Sequence, residues 1–373
     1  MLPGVVETVR DVLVFAVGVV IVALTLGSAV RTVVLPRGVP AKLASFVFIT
    51  MRRLFDLRLK RVDSYEKRDR VMALYAPLSL FMLAAHWLFL VFFAYGLMFW
   101  SLGVRPVRTA FIESGSSLFT LGFIRPEDLP GVGLVFTEAG LGLTLAALLI
   151  TYLPTLYTAF SRREAMVTAL EVRANTPPSG IEMILRFYRI KWLEELGEVF
   201  AEWETWFVEL EETHTSLPAL VFFRSPQPDH SWVTAAGAVL DAAALRLSCL
   251  PGREPRASLA LRAGYIALQR IAGFFGIPFD SDPKPDDPIA VAKEEFFEAY
   301  DRLADEGIEV VPDREQAWLD FRGWRVNYDR TLITLAALVM APYAPWSSDR
   351  SAFFRARVLR RPAWPERRGR PGR

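Results

Sequence analysis

Apolar positions along this chain follow two regimes. Up to about residue 160 they come in long, nearly unbroken runs; beyond it they recur at three- and four-residue steps between charged positions. Runs of about twenty apolar residues suit a helix that crosses a bilayer, and the stepped pattern marks amphipathic helices with one buried side. Three runs reach that length. The first, 12–35, is uncharged until Arg31; the second, 74–102, has Trp87 near its middle and Trp100 near its far end. The third, 134–160, carries Gly140 and Gly142 near its start and Pro154 near its end. A secretory signal is the rival reading of the first run. Its apolar part exceeds the ~7–15 residues of a signal core and no A-x-A site precedes Arg31 and Arg37, so a retained transmembrane helix is expected. His86, inside the second run, is a functional candidate by default, against the plainer reading of a neutral histidine bonded to a neighbouring helix.

Between the second and third runs, residues 109–119 predict a helix of about three turns, too short to span. Thr120-Leu121-Gly122-Phe123 follows, and then a polar, proline-rich turn over 125–131. Irregular backbone at membrane depth is tolerated only where protein covers it or water fills a cavity beside it. A short helix and an extended Thr/Gly segment held between two spans therefore predict a re-entrant loop; the plainer alternative is the end of a hydrophobic hairpin. Glu113 in the short helix and Glu138 early in the third run are the carboxylates expected at this depth. They would buttress the loop or concentrate cations at its mouth, with Glu138 alternatively facing water at the interface.

Charge sets the topology. Residues 37–70 carry Arg37, Lys42, Arg52, Arg53, Arg58, Lys60, Arg61, Lys67, Arg68 and Arg70 against Asp56, Asp63, Glu66 and Asp69. That excess places the loop on the cytoplasmic side, and Ser161-Arg162-Arg163-Glu164 does the same for the end of the third run. The N-terminus and the 109–123 loop are then outside, and the C-terminal half inside, in a multi-pass protein of the plasma membrane. Leu43, Phe46, Val47, Ile49, Leu54 and Leu57 line one side of a helix that either lies on an anionic leaflet or packs as a linker on a cytosolic domain. A net charge of +2 gives no argument for nucleic acid. The single cysteine, Cys249, excludes an internal disulfide and reads as an inert buried thiol.

The C-terminal half reads as soluble helical protein. Residues 181–212 predict one amphipathic helix whose polar side is acidic, a solvated face rather than a metal site given three histidines in the whole chain. Further helices are expected over 232–250, capped by Ser231, over 257–275, over 289–306, ended by Gly307, and over a buried 331–340. Residues 280–288 predict a surface loop and the basic tail after Arg355 a disordered one. His214, Ser216, Ser225, His230 and Asp241 are the residues that would suit a hydrolase, but no G-x-S-x-G elbow or glycine-rich phosphate loop accompanies them. The fold class is all-α: integral membrane helices with a re-entrant loop plus a helical cytosolic domain. Its expected divisions are 1–36, 37–71, 72–163, 164–350 and 351–373.

Ser117-Leu118-Phe119-Thr120-Leu121-Gly122-Phe123 resembles the pore signature of bacterial tetrameric potassium channels, a Thr or Ser, two residues, then Thr-x-Gly-Tyr/Phe-Gly. Thr120 matches the hydroxyl position, Gly122 the first glycine and Phe123 the aromatic; Ile124 stands where that family has its second glycine. A single glycine followed by Phe is also similar to Trk/Ktr-type potassium uptake subunits, which carry four such loops in one chain where this chain has one. The resemblance implies a homotetramer in the lipid bilayer, and potassium or another monovalent cation as permeant ion. It implies no cofactor, metal site or enzymatic activity. Carbonyls of Thr120, Leu121, Gly122 and Phe123 would line the filter, Glu113 and Ser117 would support it, and Gly140, Gly142 and Pro154 would serve as hinge or gate. The cytosolic half would act on Pro154 through Arg162 and Arg163, in response to a ligand or partner the resemblance leaves open. The competing class is a membrane-anchored sensor whose loop does not conduct, favoured by Ile124 and the large C-terminal half.

Overall fold

The computed structural model describes residues 2–35, 41–62 and 64–353, whose regular structure is all helical, with no strand among them. The tail beyond Arg355, Arg37 and Asp63 lie outside the described residues. The chain divides into two compact units, one formed by 1–63 with 71–158 and the other by 64–70 with 159 onward. In order, the helices are α1 (Leu2–Val33), α2 (Lys42–Leu59), α3 (Tyr65–Ala73), α4 (Tyr75–Ser101), α5 (Val107–Leu118) and α6 (Leu129–Ala174). Then follow α7 (Gly180–Arg189), α8 (Leu196–Ser216), α9 (Trp232–Cys249), α10 (Pro255–Phe274), α11 (Lys293–Asp305), α12 (Arg314–Arg325) and α13 (Asp329–Val339).

Two expectations of extent are corrected. Helix α6 does not stop at the basic flank near residue 160 but runs on to Ala174, because charged residues solvate a helix without breaking it. Its end comes at Asn175, in the left-handed conformation (φ 64°) that asparagine tolerates, with two prolines beyond. Conversely, 181–212 is not one helix. The apolar period continues across a break at Lys191, which has φ 59°, and a short 3₁₀ turn at Leu193–Glu195. Trp192 keeps the period because its ring stacks back on Phe187 at 5.7 Å. Helix α12 was not foreseen from the sequence.

In the first unit α1 and α4 run antiparallel. Trp87 Nε1 donates to Ser28 Oγ at 3.2 Å, and Gly18 lets α1 approach the Ala94 carbonyl and Met98 side chain. Leu83, Trp87, Val91, Tyr95 and Phe99 form the core of this packing. Outward positions such as Val12, Leu24, Phe89, Leu143 and Ile150 are exposed and apolar, a surface that hydrocarbon accepts and water does not. Helices α1, α4 and α6 are long and apolar enough to cross a membrane.

The second unit is built around α9. That helix is also long and apolar enough to span, but nearly all of it is buried beneath α7, α10 and α12. Gly180 brings α7 onto the α9 backbone at Asp241 and Ala242, and Gly264 brings α10 onto Leu240 and Phe207. Ser231 caps α9 by accepting from Val233 N at 3.4 Å, and Cys249 is buried at its end. Gly307 follows α11 with φ +91°. Helix α13 is buried, as its composition predicted.

Candidate functional site: the loop that follows α5

Helix α5 is seated between α4 and α6. Phe111 occupies the space left by the missing side chain of Gly96 and lies 5.5 Å from Phe92. At the other end of α5 the Leu118 carbonyl packs directly on Gly142. At 1.5 Å per residue, Gly142 lies roughly 20 Å along α6 from Leu129. The chain therefore leaves the end of α4, descends beside α6 through α5, and returns over residues 119–128 to the start of α6. Asp128 caps that start, its Oδ2 accepting from Gly131 N at 2.9 Å.

The turn-back begins with a helix C-cap. Leu121 N donates to Ser116 O at 2.8 Å and Phe119 N to Gly115 O at 3.2 Å. Thr120, at φ 55°, takes the left-handed position usually filled by glycine, and Gly122 follows at φ +70°. A β-branched residue is held there at a cost of about 1–3 kcal/mol, and such outliers cluster at working sites. Ser116 Oγ accepts from Phe123 N at 3.2 Å. Ser117 Oγ instead donates to Glu113 O, within its own helix. The serine that reaches the loop is thus Ser116, one position before the residue the resemblance assigned. Phe119, Leu121 and Phe123 are each about 60% exposed, so the tip is an apolar surface.

Behind the loop lies a buried polar layer. Ser114 Oγ bridges the Phe92 carbonyl (2.8 Å) and Glu138 Oε1 (2.6 Å). Glu138 is fully buried rather than facing water, and Glu113 is buried beside it in α5. Glu113 Oε1 and Glu138 Oε2 have no hydrogen-bond partner. Sequence reasoning found both carboxylates but missed Ser114, whose small side chain carries no distinguishing pattern.

Helix α6 has two unlike sides. Glu138, Gly142, Leu145, Tyr152 and Leu156 face inward. On the outward side Gly133, Gly140, Ala147 and Pro154 recur every seven residues, and Thr137, Thr144, Thr151 and Thr158 run parallel to them. All of these are exposed, and a side chain added at Gly133 or Gly140 would meet nothing within 4 Å. Each threonine hydroxyl bonds back to its own helix; Thr137 also accepts from Tyr95 Oη at 3.1 Å. Gly140 and Gly142 thus differ: Gly142 is a close-packing glycine and Gly140 belongs to the open column. Pro154 lies within α6 without interrupting it. His86 faces the Phe46 ring, 6.2 Å between centroids.

In the second unit, Arg163 of the expected basic flank is buried, and Arg162 is exposed. Arg163 donates to Leu220 O (2.8 Å), Phe223 O (2.7 Å) and Glu164 Oε1 (2.8 Å), and lies 3.2 Å from His214 Nε2. A guanidinium only donates, so His214 Nε2 is the acceptor and the ring proton sits on Nδ1, 3.2 Å from Thr213 Oγ1. Burial, then the Arg163 charge, holds the His214 pKa well below its ordinary value. Next in sequence, Arg224 binds Asp69 and Tyr65 on α3 together with the carbonyls of Val339 and Met340. The hydrolase-like residues are not assembled. His230 Nε2 lies 3.5 Å from Glu171, Ser225 Oγ has no partner, and Asp241 pairs with Arg325. Among the described residues no cluster of His, Cys, Asp and Glu is suited to a metal.

No family model, curated protein or solved structure matches this chain. The fold and the loop geometry therefore stand on their own.

Proposed function

We propose that this chain is one subunit of a cation channel in the plasma membrane. Four copies would surround an axis on which the Thr120–Phe123 loops converge, with α4 as outer and α6 as inner helix. The helical unit built on α9 would be cytosolic. The observation that carries this reading is the seat of the Leu118 carbonyl on Gly142, well along α6, followed by the return of the chain to Leu129. In a bilayer that path would take irregular backbone into the apolar layer and back to the side it left, which a chain sustains only beside protein or water. The column Thr137, Thr144, Thr151 and Thr158 adds support, since it offers hydroxyls along an otherwise apolar helix. A monovalent cation is the expected permeant ion, coordinated by loop carbonyls.

The test is cation flux into vesicles holding the full chain, wild type against Gly122→Asp. Gly122 has open space around it, so the variant tests charge and carbonyl geometry at the loop without crowding. Wild-type flux at least about tenfold above empty vesicles, abolished by Gly122→Asp, is the expected result. Equal flux for both, or none for either, would leave a membrane-anchored helical protein without a conduit.

A further inference from the structure

We infer that the outward face of α2 is a docking surface for an anionic bilayer leaflet. Helix α2 presents one continuous exposed face, Lys42, Ser45, Phe46, Ile49, Thr50, Arg53, Leu54, Leu57 and Arg58, at the three- and four-residue steps of a helix. Phe46 is 60% exposed, Leu54 55% and Leu57 59%. The opposite face is fixed. Val47 and Leu59 are buried, Phe48 and Phe55 pack edge-on against Tyr75, and Tyr75 Oη donates to Phe48 O at 3.1 Å. Phe48 and Phe55 thus fasten α2 to the start of α4, at the end of that apolar helix where the chain is most basic, and Phe46 lies beside His86 further along it.

Charge is sorted between the faces. The acid of the helix, Asp56, is turned away from the outward face and takes Arg52 Nε at 3.2 Å. Lys42, Arg53 and Arg58, with Lys60 and Arg61 just beyond, are exposed, and among the described residues of 42–62 Asp56 is the sole carboxylate. Large apolar side chains beside unopposed cations match an interface of acyl chain and phosphodiester headgroup. Arg53, between Ile49 and Leu57, has a stem long enough to bury its methylenes and keep its charge among headgroups. A second copy of the same face would bring like charges together. A soluble polyanion would leave Ile49, Leu54 and Leu57 in water. The lipid surface satisfies both sets of groups.

The experiment is hydrogen exchange of α2 amides in the full chain, held in nanodiscs of phosphatidylcholine alone or mixed with phosphatidylglycerol. A basic residue near an anionic surface contributes ~1 kcal/mol, about fivefold in an equilibrium. Exchange is expected to slow severalfold in the anionic discs, and the difference to shrink as salt rises. In the combined variant Arg53→Gln, Arg58→Gln, Lys60→Gln, Arg61→Gln the difference should vanish, while exchange in α4 stays unchanged. Leu57→Ser should speed α2 exchange in both lipids. Equal wild-type exchange in the two lipids, or a difference that survives in the charge variant, would overturn the inference. No outcome depends on conduction, so the α2 surface and the channel reading fail separately.

Discussion

Substituting alanine at Gly142 and, separately, at Gly140 tests the seat of α5 most directly. A Cβ at Gly142 would fall well inside 3.0 Å of the Leu118 carbonyl oxygen and 3.1 Å from Leu118 Cδ1. The oxygen is backbone and ends a helix whose other side is pinned by Phe111 against α4, so α5 must move as a body or strain. Overpacking of this kind costs about 1–3 kcal/mol. At Gly140 the added methyl meets nothing within 4 Å, and alanine improves on glycine in a helix by up to ~1 kcal/mol. The pair should therefore split in opposite directions although the residues are two positions apart. Thermal unfolding of the full chain in nanodiscs, followed by tryptophan fluorescence, reads the difference. At about 2–4 °C per kcal/mol for a unit of this size, Gly142→Ala should melt several degrees below wild type and Gly140→Ala at or slightly above it. If Gly140→Ala were as damaging as Gly142→Ala, or if neither changed the midpoint, the Leu118 seat would not describe the protein in a membrane.

Two predictions concern the second unit. Because burial holds the His214 pKa well below 6.5, the unfolded chain takes up a proton that the folded ring refuses. Stability from this group is complete above about pH 6.5 and falls as pH drops below it, by up to ~1.4 kcal/mol per pH unit. Melting curves at pH 7 and pH 5 should converge for His214→Gln, and an unchanged slope would refute the assignment. Arg325 is buried between Asp241 and Asp329, with its Nε 2.8 Å from Asp329 Oδ1. Arg325→Gln would leave two buried carboxylates without their neutralising charge, with only Tyr328 and Ala290 N still donating to them, and should cost about 3–5 kcal/mol in a denaturant titration; a loss under 1 kcal/mol would contradict the pairing.

How much of this was legible in the sequence depends on the range of the interactions involved. The long apolar helices α1, α4 and α6, and α5, follow from run length, and α9, α10 and α13 from period and capping, because those signals are local. Glu113 and Glu138 were singled out as carboxylates in or beside apolar runs and Gly122 by the resemblance of its motif, and each lies in or behind the loop. The roles of Gly140 and Gly142 were indistinguishable, since only the position of Leu118 separates them. The burial of Arg163 was not legible because its partners Leu220 and Phe223 lie 57 and 60 residues away, and a buried arginine looks like a flanking one until its carbonyl partners are known. The break at Lys191 was hidden because Trp192 sustains the apolar period while the backbone turns.

Residues 220–224 have a mechanical consequence. Arg163, at the foot of the longest helix, is held by the carbonyls of 220 and 223, while Arg224 grips the stretch of α3 that leads into α4. Two stems that are remote in sequence share one anchor five residues long. Within the second unit, residue 163 and residues 65–69 are therefore held by a single short stretch of backbone and side chain.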